Sequence, residues 1–268
     1  MGFFSRDFSK AGPGVPKDEP RKKGISRFFE IIAREYRDLM KVNILFFLCV
    51  LPSVALFFLW LFGILNFALI LSILLAYPIG GAMAASMFCI TRMLRDDPGF
   101  VWDDFKRKFW ENLRQGGVTG VIAMTFIYTQ VFLFWLPIMA DWAIVGTPWI
   151  IGGLALFFFV TMFAPYIFLH FAYIELGTFK IIKNSVLLAL SNIRRSFMGA
   201  LLGLLPWVAL FMFFPISLVF FPLIPLIVFV FSWLLTLMWV WPVFDKRFAV
   251  EETLIKEQEE ADDNGDNV

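Results

Sequence analysis

Residues 64–90 read ILNFALILSILLAYPIGGAMAASMFCI, and none of them is charged or a histidine. A hydrocarbon core of about 30 Å takes roughly 20 apolar residues of helix, so this run is read as a membrane span. The rest of the chain agrees. Of its 268 residues 60% are hydrophobic, 19% are aromatic and only 17% are charged. A single soluble core cannot bury that much apolar side chain. Runs of similar character occupy 42–62, 117–140, 147–174, 197–221 and 226–244. A tight turn at Gly63 and Asn66 divides the first two runs, and Pro222 and Pro225 divide the last two. The expected architecture is an all-α polytopic membrane bundle of six transmembrane helices, accompanied by amphipathic cytoplasmic helices.

Six spans place 1–41, 91–116, 175–196 and 245–268 on one side. All 23 Lys and Arg fall in those four segments, which identifies them as cytoplasmic and puts both termini there. Asp141 is the one charged residue left for the opposite side. Segment 1–41 holds ten Lys/Arg against six Asp/Glu, whereas 245–268 holds three against nine. Ends of opposite sign argue against a nucleic-acid partner; the expected partner is the lipid bilayer. No apolar run of signal-peptide length lies in 1–41, so the first span is expected to be an uncleaved anchor. The expected organisation is a disordered basic arm over 1–24, one integral-membrane domain over 25–245 and a disordered acidic tail over 246–268.

Three cytoplasmic segments carry helical periodicity. Ile25, Phe28, Phe29, Ile32, Tyr36, Leu39 and Met40 recur on one face of an interfacial helix that leads into the first span. In the second segment Asp97-Pro98 suits a helix start and Gly116-Gly117 a stop, with Trp102, Phe105, Phe109 and Leu113 on one face. Asp103, Asp104, Lys106, Arg107, Lys108 and Arg114 fill the other face as a candidate docking surface. The third segment, 175–195, repeats Phe-Lys at Phe179-Lys180 and Asn-x-Arg at Asn192-Ile193-Arg194, a weak internal echo of Phe105-Lys106 and Asn112-Leu113-Arg114.

Ionisable groups inside spans are costly and point to function by default. His170, the only histidine, forms an i, i+4, i+7 stripe with Tyr166 and Tyr173. The reading taken is an interhelical hydrogen-bonded cluster, with a proton- or substrate-contacting path as the alternative. Pro78, Gly80 and Gly81 admit two readings as well: close helix packing, or a broken helix of the kind that lines transporter sites. Asp96-Asp97 and Asp103-Asp104 lack any second catalytic element. No catalytic residue, metal site or cofactor is expected, and no phosphate-binding glycine loop occurs. Cys49 and Cys89 sit in apolar runs and are read as packing residues.

Several of these features come in an order that resembles the YesL-type bacterial membrane proteins, a family without an assigned activity. The matching elements are Asn43-Ile44-Leu45, Leu51-Pro52, the Pro78 to Ala85 segment, Arg95-Asp96-Asp97-Pro98, and Trp102-Asp103-Asp104-Phe105 with Asn112 and Gln115. Phe179-Lys180-Ile181-Ile182-Lys183-Asn184 is similar to the family's second cytoplasmic motif. The resemblance covers about residues 25–245, and this chain adds apolar sequence over 53–76. It implies a bacterial cytoplasmic-membrane protein, often encoded near carbohydrate ABC transporters. The expected function is therefore a non-enzymatic accessory or regulatory partner of ABC transporter subunits, docking through the helices at 102–113 and 179–195. The alternative expectation is a small-molecule transporter or channel in its own right.

Overall fold

The computed structural model describes residues 24–139, 147–174, 176–212 and 224–256. The basic arm up to residue 23, Asp141, Glu175, the Pro222 turn and the tail from 257 lie outside the described residues. Among the described residues eight main helices carry the fold, in chain order: α1 (Ile25–Leu61), α2 (Ala68–Leu74), α3 (Tyr77–Arg95), α4 (Val101–Met139), α5 (Thr147–Tyr173), α6 (Thr178–Ser191), α7 (Ile193–Met212) and α8 (Ile224–Phe248). Among the described residues six stretches are long and apolar enough to cross a membrane: Ile25–Leu61, Ala68–Arg95, Val101–Leu133, Ile151–Tyr173, Ile193–Leu210 and Ile227–Phe248. The chain is a multi-pass helical membrane protein.

The first two spans part at Gly63, whose left-handed φ of 72° turns the chain. Beyond the turn, Ser53 Oγ on α1 donates to the Ser72 carbonyl oxygen on α2 (2.6 Å) and accepts from Tyr128 Oη on α4 (2.5 Å). The stretch 53–76 thus completes the far end of α1 and forms α2, tied together by a buried hydroxyl. Nearer the middle, Phe46 stacks on Phe229 at 3.6 Å and Asn43 Oδ1 accepts the Val230 N–H, which seats α1 on α8.

Two helix crossings depend on glycine. Along α3 and α4 the backbones meet at Gly80, Gly116 and Gly120: a Cβ on Gly80 would lie 1.7 Å from the Gly116 carbonyl oxygen, and one on Gly120 would lie 2.4 Å from the Gly80 nitrogen. At α7 and α8 a Cβ on Gly203 would meet Thr236 Oγ1 at 2.0 Å, while that hydroxyl donates to the Gly199 carbonyl (3.1 Å). Both are small-xxx-small interfaces in which dispersion and hydrogen bonding at short range hold helices together.

Four expectations change here. The Gly116-Gly117 pair does not stop a helix: α4 is continuous from Val101 to Met139, because these glycines face α3 and let it approach. Asp97-Pro98 does not start α4 either, since Asp97 pairs with Arg95 (2.9 Å) and the helix begins at Val101. Pro78 sits in the first turn of α3, and Gly80 and Gly81 lie within regular helix, so the interruption falls before Tyr77 rather than at Pro78–Gly81. Finally, part of the expected acidic tail is helical over 250–256. The chain turns at Ala249, the Glu251 N–H caps on Asp245 Oδ1 (2.8 Å), and Val250 is buried.

The continuity of α4 alters where its charges stand. At about 1.5 Å per residue, the 37 residues of α1 and the 39 of α4 extend about 55–58 Å, some 25 Å more than a hydrocarbon core. Exposed charges end at Lys41 on α1 and Arg114 on α4; beyond them, after the exposed Gln115, the next exposed residues are Ile44 and Leu48, and Val118 and Ile122. The excess therefore projects on the charged side as a layer about 20 Å deep. Inside that layer every residue of α3 from Ile79 to Met93 is buried. The second half of the run 64–90 is apolar because protein covers it, with α1, α4, α5 and α8 around it.

Candidate functional site

The projecting layer is organised around the C-terminus of α3. Asp96 takes a left-handed φ of 66°, with the Asp97 N–H bonded to the Arg92 carbonyl and the Asp96 N–H to the Met93 carbonyl, the hydrogen-bond pattern of a Schellman cap. The remaining carbonyls and the helix dipole attract cations. Arg27 donates to the Leu94 carbonyl (3.0 Å) and to Asp96 Oδ2 (2.5 Å), and Arg34 donates to the Met93 carbonyl (3.2 Å) while pairing with Asp96 Oδ1 (2.5 Å). One carboxylate thus receives two guanidinium groups from α1. Burial alone would raise the pKa of Asp96, but the hydrogen bonds and charges of Arg27 and Arg34 outweigh it and hold the group below the ordinary carboxylate range.

A third guanidinium fixes α4. Arg92, itself buried, donates to the Gly99 carbonyl (3.1 Å) and pairs with Asp104. A Cβ on Gly99 would come within 2.4 Å of Arg92 Nη1, so the guanidinium end would have to shift to admit one. Deeper along the helix, Phe105 is buried, and Phe109 and Leu113 abut Gly81. The kink of α1 at Glu35, where φ is −110° and ψ 15°, lets its charged half follow the same surface.

These contacts sort the candidate docking residues. Asp104 turns inward to Arg92, and Lys108 lies over the Phe88 ring (5.1 Å) while pairing with Glu111 (2.8 Å). Asp103, Lys106 and Arg114 are exposed; Arg107 is half-exposed between Asp104 and Glu111. Two aromatic residues join them. Trp102 (62% exposed) and Trp110 (63%) point outward with Lys106 and Arg114, in a row spaced by four residues. The pattern assigned Trp102 to the inward face and passed over Trp110. The signal that distinguishes them is the arc defined by Asp104, Phe105, Lys108 and Asn112, which only the partner residues on α3 make visible.

The stripe on α5 is divided among three neighbours. Tyr166 Oη shares a hydrogen bond with Ser196 Oγ on α7 (3.0 Å), and Tyr173 Oη with Thr91 Oγ1 on α3 (2.5 Å). His170 Nδ1 donates to the Tyr166 carbonyl (2.7 Å) and lies 3.0 Å from Ser185 Oγ on α6, with the Phe244 and Phe248 rings edge-on at 5.1 Å. Since Tyr173 is level with Thr91, near the end of α3, the stripe belongs to the projecting layer and not to the middle of the bilayer. Its geometry is that of interhelical glue. The repeated Asn-x-Arg elements also differ: Asn112 and Asn192 each bond the carbonyl four residues back, but α4 runs straight through the first while Asn192 separates α6 from α7.

Among the described residues no group of three His, Cys, Asp or Glu side chains is placed to hold a metal. Comparison with protein-family models, with curated proteins and with solved structures finds no match, so the site is read from its own chemistry.

Proposed function

We propose that the chain is a non-enzymatic accessory or regulatory protein of the bacterial cytoplasmic membrane that docks on subunits of a carbohydrate ABC transporter through the outward face of α4. The observation that carries this reading is the row Trp102, Lys106, Trp110 and Arg114, presented on a helix whose opposite side is locked to α3. Tryptophan and arginine on a rigid support are what protein interfaces concentrate at their energetic centres. The segregation of Lys and Arg supports a cytoplasmic position for this end of the bundle and for both termini. The choice of a carbohydrate transporter rests on the resemblance to YesL-type proteins, an associational warrant. The transporter or channel reading asks Tyr166, His170, Tyr173 and the Pro78–Gly81 segment to face a water-filled path, whereas their contacts are with Ser196, Ser185, Thr91 and α4.

Co-purification tests the proposal. From native membranes in mild detergent, the wild-type chain is expected to carry transporter subunits identifiable by mass spectrometry. Lys106→Glu combined with Arg114→Glu is expected to reduce them about tenfold or more, while membrane insertion and thermal stability are retained. Unchanged recovery of the same subunits would overturn the docking role.

A further inference from the structure

Among the described residues, no ion pair joins a carboxylate to the cations of helix α6. Lys180, Lys183, Arg194 and Arg195 are exposed around α6 and the first turn of α7, and no Asp or Glu occurs anywhere from 176 to 244. On α1 and α4 the pattern is mixed: Asp96 answers Arg27 and Arg34, and Asp104 and Glu111 answer Arg107. The inner face of α6 is committed, because Ile181, Ser185 and Ala189 are buried and Ser185 meets His170. Its outer face is cationic and apolar at once. Phe179 is 82% exposed, Leu187 55% and Leu190 44%, and Ile193 follows at 55% across the one non-helical residue, Asn192.

That apolar surface continues down the membrane. From Ile193 the exposed row runs through Phe197, Leu201, Leu205 and Val208, at spacings of three or four along α7. These residues face acyl chains wherever α7 spans a bilayer, so the C-terminal end of the outer face of α6 borders the same leaflet. Cations set beside apolar side chains at that border match an interfacial helix on an acidic membrane surface.

We infer that α6 is an interfacial helix that binds the headgroups of acidic phospholipids through Lys180, Lys183, Arg194 and Arg195. Leu190 and Ile193, at the end of α6 that leads into the span, border the acyl layer beneath. The assignment goes beyond transporter docking, which uses the face of α4, and it removes α6 from that docking surface.

The experiment is native mass spectrometry of the full-length protein in a neutral detergent, titrated separately with phosphatidylglycerol and phosphatidylcholine. Phosphatidylglycerol is expected to bind about tenfold tighter. The variants K180Q/K183Q and R194Q/R195Q, made separately, are each expected to lose about tenfold of that affinity. K180R/K183R is expected to keep it, which separates loss of charge from loss of fold, and K106Q/R107Q on α4 is expected to leave it unchanged. Equal binding of phosphatidylcholine, full affinity in both glutamine variants, or an equal loss in K106Q/R107Q would overturn the assignment. Displacement of the lipid by millimolar inorganic phosphate would overturn it too, by pointing to a soluble anion, as would capture of an acidic protein on α6 without any lipid preference.

Discussion

Gly80→Leu is expected to destabilise the folded protein by at least about 3 kcal/mol, at or beyond the upper end of ordinary overpacking. The reason is geometric. Even a single Cβ there would stand 1.7 Å from the Gly116 carbonyl oxygen, and what it strikes is backbone of another helix, with no side chain free to rotate away. Relief requires α3 and α4 to separate, which would pull apart the most extensive helix–helix contact among the described residues and the Arg92–Asp104 pair with it. Gly152→Ala on α5 is the control, since no atom of the described residues lies within 4 Å of its Cβ. That substitution is expected to be neutral or to stabilise by up to about 1 kcal/mol through helix propensity. Thermal unfolding of the purified variants in detergent compares the two; a Gly80 variant as stable as the control would mean that the crossing is looser than described.

Asp96→Gly is expected to cost about 2–3 kcal/mol. It lies below the range of about 3–5 kcal/mol for breaking a fully buried pair, because Asp96 keeps 30% of its side-chain surface exposed while Arg27 keeps 8%. Glycine is the informative replacement: it accepts the left-handed φ more readily than Asp, so any loss reports on the carboxylate. The pH dependence follows from the lowered pKa of Asp96. Its contribution is complete above the unfolded value of about 3.9 and is lost as pH falls through the lower folded value. The stability gap between wild type and variant is therefore expected to be constant from pH 7 down to about pH 5 and to close below about pH 4. A gap that persisted unchanged into that acid range would assign the effect to something other than the Arg27–Asp96–Arg34 cluster.

Much of this fold is legible in the sequence, for one physical reason. Lysine and arginine are excluded from hydrocarbon, so their placement marks span ends. The charged span ends follow from that, whereas the division at Gly63 is read from glycine, since no Lys or Arg lies between 42 and 91. Glycine is less transparent. Gly116-Gly117 reads as a helix stop because an unpaired left-handed residue and a close backbone approach both select glycine, and only Gly80 on another helix reveals which applies. Apolarity is ambiguous in the same way: lipid and protein interior both select it, so the Gly81–Met93 segment resembles membrane span although charged helices wrap it. The candidate docking face was half legible. Lys106 and Arg114 are where periodicity puts them, whereas Asp104 and Lys108 are drawn inward by Arg92 and Phe88, partners remote in the pattern.

The central claim is that the charged stretch of α4 stands clear of the hydrocarbon as the continuation of a membrane span. Spin labels at Lys106, Trp110, Arg114, Val118 and Ile122, one row on the exposed side of α4, test it most directly when the protein is reconstituted in bilayers. Accessibility to a water-soluble nickel relaxant is expected at the first three positions and accessibility to oxygen at the last two, with the crossover between Arg114 and Val118. Oxygen-dominated accessibility at Lys106 and Trp110 would contradict the account, because it would lay this helix along the membrane surface.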